Sequence, residues 1–510
     1  MTMDSRNELF GAFSSRIDDL DAPFIHAPDG TDVTYEGMLH RSAQYANAFL
    51  SLGVTPGDRV ASQVDKSIDA LFVYLGCLRA GGVFLPLNTG YTEKEVAYFI
   101  SDAEPRVVVC MPGREAMMAD IAKSCQVSHV ETLADGVGSL VEKANAASVE
   151  FDDVPRAEDD LAGILYTSGT TGRSKGAMVT HRNLLSNAQA LAEVWRFTDS
   201  DVLLHALPIF HTHGLFVATN TILLTGGSMI FLPKFDIDSV LAALPRATAM
   251  MGVPTFYTRL LASEKFTRES VAHMRLFISG SAPLSATTHR EFEERTGCAI
   301  LERYGMTETN MITSNPYDGA RRAGTVGLPL PGVNVRIADP ETGALKPTGE
   351  VGVIELSGPN VFKGYWRMPE KTASEFREDG FFITGDLGLI DEQGYVKIVG
   401  REKDLIISGG FNVYPAEVEG AIDQIVGVAE CAVIGVPHPD FGEGVTAVVV
   451  RSGTGDEPSA DDIQGQLTLN LAKYKVPKEV FFVDDLPRNK MGKVQKNELR
   501  DRYGETFKKT

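Results

Sequence analysis

Apolar runs of two lengths alternate through the first three-fifths of the chain, and this rhythm restricts the fold more than any other feature. "DRVASQV" is followed by "SIDALFVYLGCLRAGG" and then by "VFLPL". A short run, a longer run stopped by glycine and another short run read as strand, helix and strand. "YEGMLHRSAQYANAFLSLGV" has helical spacing and stops at Gly53. The pattern returns in "DLAGILY", "HRNLLSNAQALAEVW", "DVLLHAL", "GLFVATNTILLTGG", "SMIFL" and "MRLFISG". Strands that alternate with helices predict an α/β fold of doubly wound parallel sheets. Ligands of such sheets bind beyond the carboxyl ends of strands. The loops after "ILY", "HAL", "FIS" and "ILE" are therefore the places to search.

From about residue 331 the texture changes. "VNVRIADPETGALKPTGEVGVIELSG" and "GLIDEQGYVKIVG" carry turn signals between short β runs, which predicts antiparallel hairpins in a β subdomain. A short α+β pattern follows "GREKDLIISGGFNVYP": helix 415–424, strands near 428–436 and 443–451, a helix near 460–473, then "EVFFVDDLP". The boundary is expected at Arg401–Asp404, dividing a large domain, 1–402, from a small mobile one, 403–510. A chain of 510 residues is too long for one core, so two domains are expected on size as well.

The formal net charge of −20 disfavours nucleic acid as a partner, since phosphate backbones need clustered Lys and Arg. It also requires any anionic substrate to find a local positive site. The five cysteines form no CxxC pair, which predicts reduced thiols in a cytoplasmic compartment and no zinc site. The first residues lack an apolar signal-peptide core. The longest apolar run, "GLFVATNTILL", is too short to span a bilayer and reads as a buried helix.

The strongest motif is "YTSGTTGRSKG", residues 166–176, which follows an apolar strand and precedes a helix start near Thr180. Glycines let backbone N–H groups approach an anion, hydroxyls add donors and Lys175 adds charge. The rival readings are a flexible surface turn and a P-loop NTPase. The spacing is not G-x-x-x-x-G-K-[ST], which argues against the second.

This segment resembles the signature of the adenylate-forming superfamily of acyl-CoA synthetases, adenylation domains and luciferases. The likeness runs along nearly the whole chain, through "GSAP" (280–283), "YGMTE" (304–308), "TGD" (384–386), "GREKD" (400–404), "ISGGFNVYP" (407–415) and "LPRNKMGK" (486–493). It implies that ATP and a carboxylic acid give an acyl-adenylate, which coenzyme A then captures. By that resemblance Thr167, Ser168, Gly169, Thr170, Thr171, Gly172 and Lys175 hold phosphates. Gly280, Ser281 and Ala282 face adenine, Tyr304 stacks on it, and Gly305, Met306 and Thr307 continue the nucleotide site. Asp386 and Arg401 bind ribose, while Glu308 and Thr167 hold Mg²⁺. Lys493 is the catalytic lysine, bridging acid and α-phosphate as charge develops. Lys403 is the hinge, and Ser408, Gly409 and Gly410 line the path of the coenzyme A arm. A lysine acetyltransferase acting on Lys493 would remove its charge.

"HTHG" (211–214) invites a metal reading, but a third and fourth ligand are not evident. The resemblance places His211 at the junction of the ATP and acyl sites, with Thr212, His213, Gly214 and Met306 along the acyl pocket. Arg303 stands where ligases of fatty or aromatic acids typically carry glycine, and Arg259 should face a helix side with Thr255. Arginine in an acyl pocket argues for a second carboxylate on the substrate. The rival is an internal ion pair of Arg303 with Glu302 or Glu308. With "LERYGMTETNM" and "NVFKGYWRMPEKT", the chain resembles malonyl-CoA synthetases, which implies malonate, and methylmalonate beside it, as the acid. Oxalate or another short diacid, a medium-chain acid, a carrier-linked adenylation unit and a non-catalytic nucleotide sensor are the competing readings.

Overall fold

The computed structural model of the chain describes residues 7–28, 30–167, 174–453, 457–489 and 492–507. Two large sheets carry the first part. One has nine strands and runs, edge to edge, Leu328–Pro329, Asn310–Ser314, Leu301–Met306, Leu276–Ser279, Ala249–Gly252, Val202–His205, Ser228–Phe231, Pro23–His26 and Asp32–Thr34. The other has seven: Gly364–Tyr365, Lys175–Thr180, Leu161–Thr167, Val83–Pro86, Arg59–Gln63, Val107–Cys110 and His129–Thr132. Their central ladders are parallel, and antiparallel pairs lie toward the edges.

Adjacent residues of the central strands enter different cores. Leu203, Met229, Met251 and Ile278 join one cluster, while Leu204, Ile230, Met250 and Phe277 join another. Successive side chains of a strand point to opposite faces, so a sheet buried on both sides reads as a continuous apolar run. The first cluster also takes Val60, Phe84, Ala162, Leu165 and Val179 from the seven-stranded sheet. Helices Tyr35–Ser51, Ile68–Arg79 and His181–Val194 contribute to that same cluster, so the two sheets share a helical layer.

Two local departures from the sequence expectation matter for the site. The segment after Thr167 does not lead straight into a helix. Lys175–Thr180 first runs back antiparallel to Leu161–Thr167, and only then does Thr180 cap the helix His181–Val194, through a reciprocal capping box with Asn183. The phosphate-loop motif therefore spans the mouth of a β-hairpin, and its residues Ser168–Gly172 lie outside the described residues. The second departure is at "GLFVATNTILL". It is buried, but it opens as a π-helix, His213–Thr219, before continuing as an α-helix, Asn220–Thr225. Such wide turns are rare and gather at functional sites.

A four-stranded antiparallel sheet (Asn334–Ala338, Gly352–Ser357, Phe382–Ile390, Val396–Arg401) matches the hairpins expected there. Beyond it, Pro415–Ile422 and Ala460–Asn470 pack on a five-stranded sheet around the long hairpin Val428–His438 and Gly442–Arg451. Among the described residues no helix is long and apolar enough to cross a membrane.

One hairpin sets the geometry of the site. Leu301–Met306 pairs antiparallel with Asn310–Ser314 through an irregularity at Tyr304/Gly305, and Asn310 takes a positive φ of 50°. A Cβ at Gly305 would lie 2.0 Å from the Asn310 carbonyl oxygen, so only glycine lets the arms close. Gly305→Ala is expected to lower stability by about 1–3 kcal/mol and to weaken ATP binding with it. Thermal unfolding with and without ATP checks this, and an unchanged melting temperature would contradict it.

Candidate active site

The strand Leu301–Met306 carries two charged side chains in succession, and alternation sends them opposite ways. The Glu302 carboxyl turns to Leu284, whose backbone N–H it accepts at 3.4 Å, and its Oε2 has no partner. Burial raises its pKa to about 8, so it is largely protonated at neutral pH. Arg303 is only 3% exposed and lies against the bare backbone of Gly280, where a Cβ would approach its Cζ to 2.4 Å. Its Nε and Nη2 have no hydrogen-bond partner, and among the described residues no ion pair with Glu302 or Glu308 is found. Burial lowers the Arg303 pKa to about 9, which leaves the guanidinium charged at neutral pH.

Thr212 Oγ1, His213 Nε2 and Ser279 Oγ on neighbouring segments are likewise buried and unpartnered. His213 Nδ1 hydrogen-bonds Ser281 Oγ at 3.2 Å, and Ser281 holds a positive φ of 70° to meet it. The His213 backbone N–H donates to His211 Nδ1 at 3.3 Å. Burial first, then the Lys493 and Arg303 charges, hold His211 down at about 3. Burial, with Arg303 and the other histidines, holds His213 well below its usual range. Both imidazoles are therefore neutral. Among the described residues no group of three or more His, Cys, Asp or Glu is set to hold a metal.

The other wall is ionic. Tyr304 donates its hydroxyl to Asp386 Oδ2, and Arg401 Nε meets Asp386 Oδ1 at 2.6 Å. Glu308 is buried and accepts from the Tyr365 hydroxyl at 3.0 Å, and burial raises its pKa. Lys175 Nζ sits 4.1 Å from the Tyr365 ring centroid and 3.6 Å from Glu375. Thr167 faces Lys175 across the mouth of its hairpin. Thr307, Gly305 and Met306 are half-buried on the turn before Glu308, and Ala282 follows Ser281 on the loop beside it. The exposed Lys493 side chain enters this cleft. Surrounding protein, then Arg401 and Lys403, lower its pKa against the pull of Asp386 and Glu308. Thr255, 3.4 Å from where a Cβ of Gly492 would stand, backs the loop that carries it.

One expectation is not met in this arrangement. Arg259 is exposed on Pro254–Leu261, with its guanidinium 6.0 Å from the Phe235 ring, so it is no second arginine of the buried pocket. The helix buries Tyr257, Leu260 and Leu261, and Arg259, two positions past Tyr257, falls on the opposite side. Gly409 and Gly410 form the tight turn between Ile406–Ser408 and Phe411–Val413, both at positive φ; the Gly409 N–H donates to the Phe441 carbonyl, and Ser408 pairs with Gly442. Lys403 is exposed in the short turn Glu402–Asp404. Tyr365 was not singled out from the sequence. Its signal is an aromatic ring with a polar tip inside "NVFKGYWRMPEKT", and its place comes from the two-residue strand Gly364–Tyr365 pairing with Lys175–Thr180.

Residues 18–366 match the AMP-binding enzyme family, and residues 417–493 match the AMP-binding enzyme C-terminal domain. The chain belongs to the AMP-binding enzyme family. It is 39% identical over 480 residues to a feruloyl-CoA synthase of Amycolatopsis, covering 93% of this chain and 95% of the relative. It is 35% identical to a malonate–CoA ligase of Arabidopsis thaliana, covering 97% and 88%. The ATP-bound crystal structure of MatB from Rhodopseudomonas palustris is 59% identical, with a TM-score of 0.96 over 98% of this chain and 100% of that one. The apo form of the same protein gives 0.87.

Glu302 makes a sharp pH test. Its folded pKa lies above the ordinary 4.5, so the stability it confers as a neutral acid is present below pH 4.5 and is lost as pH rises to about 8. Glu302→Gln is expected to be more stable than the parent at pH 8 by about 2–4 kcal/mol and similar at pH 4.5. Urea unfolding at the two pH values checks this. Equal gains at both would show that the carboxyl does not titrate there.

Proposed function

We propose that this protein is an ATP-dependent malonate–CoA ligase in which Arg303 selects the acid. The reaction is that of an AMP-forming acid–thiol ligase. A carboxylate oxygen attacks the α-phosphorus of ATP, the bond to the bridging oxygen breaks and pyrophosphate leaves. The coenzyme A sulfur then attacks the acyl carbon of the adenylate, and the carbon–oxygen bond to AMP breaks.

The observation that carries the acid assignment is the buried Arg303 with unpartnered N–H groups. A carboxylate at the far end of the acid satisfies it with a charge-assisted pair. Thr212, His213 and Ser279 supply further hydrogen bonds. An acid lacking the second carboxylate leaves the guanidinium buried and unpaired, costing about 3–5 kcal/mol. Methylmalonate, with the same two carboxylates, belongs to the same class.

The residues on the ionic wall take the nucleotide. Tyr304 packs on the base, with Gly280, Ser281, Ala282, Gly305, Met306 and Thr307 around it. Asp386 is held by Tyr304 and Arg401 with its oxygens at the pocket wall, which suits ribose hydroxyls. Glu308 and Thr167 offer a carboxylate and a hydroxyl, a donor set that fits a hard cation retaining its waters. Mg²⁺ bound there supplies positive charge against the phosphates. Lys493 carries its ammonium to the cleft where acid and α-phosphate oxygens must approach one another, and acetylation would remove that charge.

The small domain, 403–510, turns about Lys403 in this reading. It withdraws Lys493 after adenylation and brings Ser408–Gly410 to the cleft for thiol entry. The free cysteines suit a cytoplasmic compartment.

Pyrophosphate release with acetate, malonate, methylmalonate, oxalate, medium-chain acids and ferulate, with and without coenzyme A, tests the assignment. Malonate should lead. Arg303→Ala should lower malonate kcat/KM by about a hundredfold or more, raising KM and lowering kcat. A variant that keeps malonate activity with acetate still unused would remove Arg303 from that role. Lys493→Ala should abolish malonate-dependent pyrophosphate release yet still form thioester from supplied malonyl-adenylate. Loss of both half-reactions would end the two-orientation scheme.

A further inference from the structure

A polar chain running from half-buried Lys66 to buried His205 ends on the Gly214 carbonyl, next to His213, and takes no part in the chemistry above. Lys66 follows the strand Arg59–Gln63 in the seven-stranded sheet, while His205 ends the strand Val202–His205 in the nine-stranded one. Lys66 Nζ donates to the His205 carbonyl at 2.7 Å and hydrogen-bonds His205 Nδ1 at 2.9 Å. Lys66 Nζ also lies 4.1 Å from the Phe231 ring centroid, and the His205 ring meets that ring edge-on.

Burial lowers the Lys66 pKa well below the usual lysine range, and its amine donates whether it carries two protons or three. The tautomer follows from the other ring nitrogen: His205 Nε2 lies 2.9 Å from the Gly214 carbonyl oxygen, which can only accept, so Nε2 carries the proton and Nδ1 accepts from Lys66. The same oxygen accepts from Thr219 Oγ1 at 3.0 Å. Burial and the Lys66 charge keep the imidazole neutral. Gly214 stands in the first turn of the π-helix His213–Thr219, and its Cα is pressed on Pro208, where a Cβ would come 2.1 Å from the carbonyl oxygen. The two residues just before this fixed point are Thr212 and His213, and His213 feels the Arg303 charge.

We propose that Lys66 and His205 are positioning residues for the acid-binding pocket: Lys66 donates to Nδ1 and holds it as the acceptor side of the ring, and the Nε2–H of His205 pins the Gly214 carbonyl of the wide turn, fixing Thr212 and His213 against Arg303. The proposal rests on the reading of this pocket as the acid site. Neither residue touches the substrate. Their effect falls first on the acid; the nucleotide site is reached only through the bond of His213 to Ser281.

The test measures KM for acid and for ATP separately, in Lys66→Met, His205→Gln and His205→Asn, with melting temperatures alongside. A glutamine amide N–H reaches the place of Nε2, whereas asparagine is too short. Lys66→Met and His205→Asn should raise malonate KM about tenfold and narrow the preference for malonate over acetate, with ATP KM within about twofold of the parent. His205→Gln should restore malonate KM to within about threefold of the parent. Two-bond ¹H–¹⁵N spectra of histidine-labelled protein should show His205 as the Nε2–H tautomer in the parent and a mixture in Lys66→Met. If ATP KM rises in step with malonate KM, or His205→Gln fares no better than His205→Asn, or the tautomer does not change, the role is structural and the proposal falls. Lys66→Gln replaces Lys66→Met should the latter not fold. If the parent prefers an acid other than malonate, the functional reading fails first, and the same KM comparison with that preferred acid decides the positioning role by itself.

Discussion

A guanidinium taken out of water without a carboxylate beside it costs several kcal/mol, and the site is organised around meeting that cost only when an acid arrives. Arg303 is held at the end of a central strand by a hairpin that needs Gly305. It lies on Gly280 because no side chain intervenes. The acid next to it in sequence is turned to the opposite face and is largely neutral at pH 7. Each of these features withholds an internal partner. The unsatisfied hydrogen-bond capacity thus stays in the pocket, and in the proposed reading a dicarboxylic acid gains far more from it than a monocarboxylic one.

The same constraint explains how a chain of net charge −20 can take anionic substrates. Arg303, Lys175, Arg401 and Lys493 converge on one cleft. Their neighbouring acids are few, and each has a structural tie: Asp386 to Tyr304 and Arg401, Glu308 to Tyr365. His211 and His213 stay neutral, so they add hydrogen bonds without adding repulsion among the cations. Local field, not net charge, governs entry at such short range, since exposed charges elsewhere are screened within about 10 Å.

Much of the fold was legible because both large sheets are buried on two faces. Runs such as "VFLPL" and "MRLFISG" have no other stable use, and the helices between them end at readable caps, as at Thr180 and Gly53. The hairpin return after the phosphate loop was less legible, because "KGAMVT" is too short and mixed to distinguish a strand from a helix lead-in. The π-helix at His213 was invisible, since its width comes from Gly214 lodging on Pro208 and from His205 reaching in from another strand. Arg259 misled for a simple reason: helical spacing gives a face, and only packing says whether that face looks inward.

The sequence by itself determined the alternating architecture, the order of motifs and the presence of one arginine out of place for a ligase of simple acids. These rest on local patterns: apolar period, glycine placement and the spacing of charged groups. Only the tertiary structure decided that Arg303 has no carboxylate partner among the described residues, that Glu302 faces away and is largely neutral at pH 7, and that Lys66 meets His205. Those facts depend on contacts between segments more than a hundred residues apart, as with Lys66 and His205, and on burial, which sets the protonation and the hydrogen-bonding need of each group.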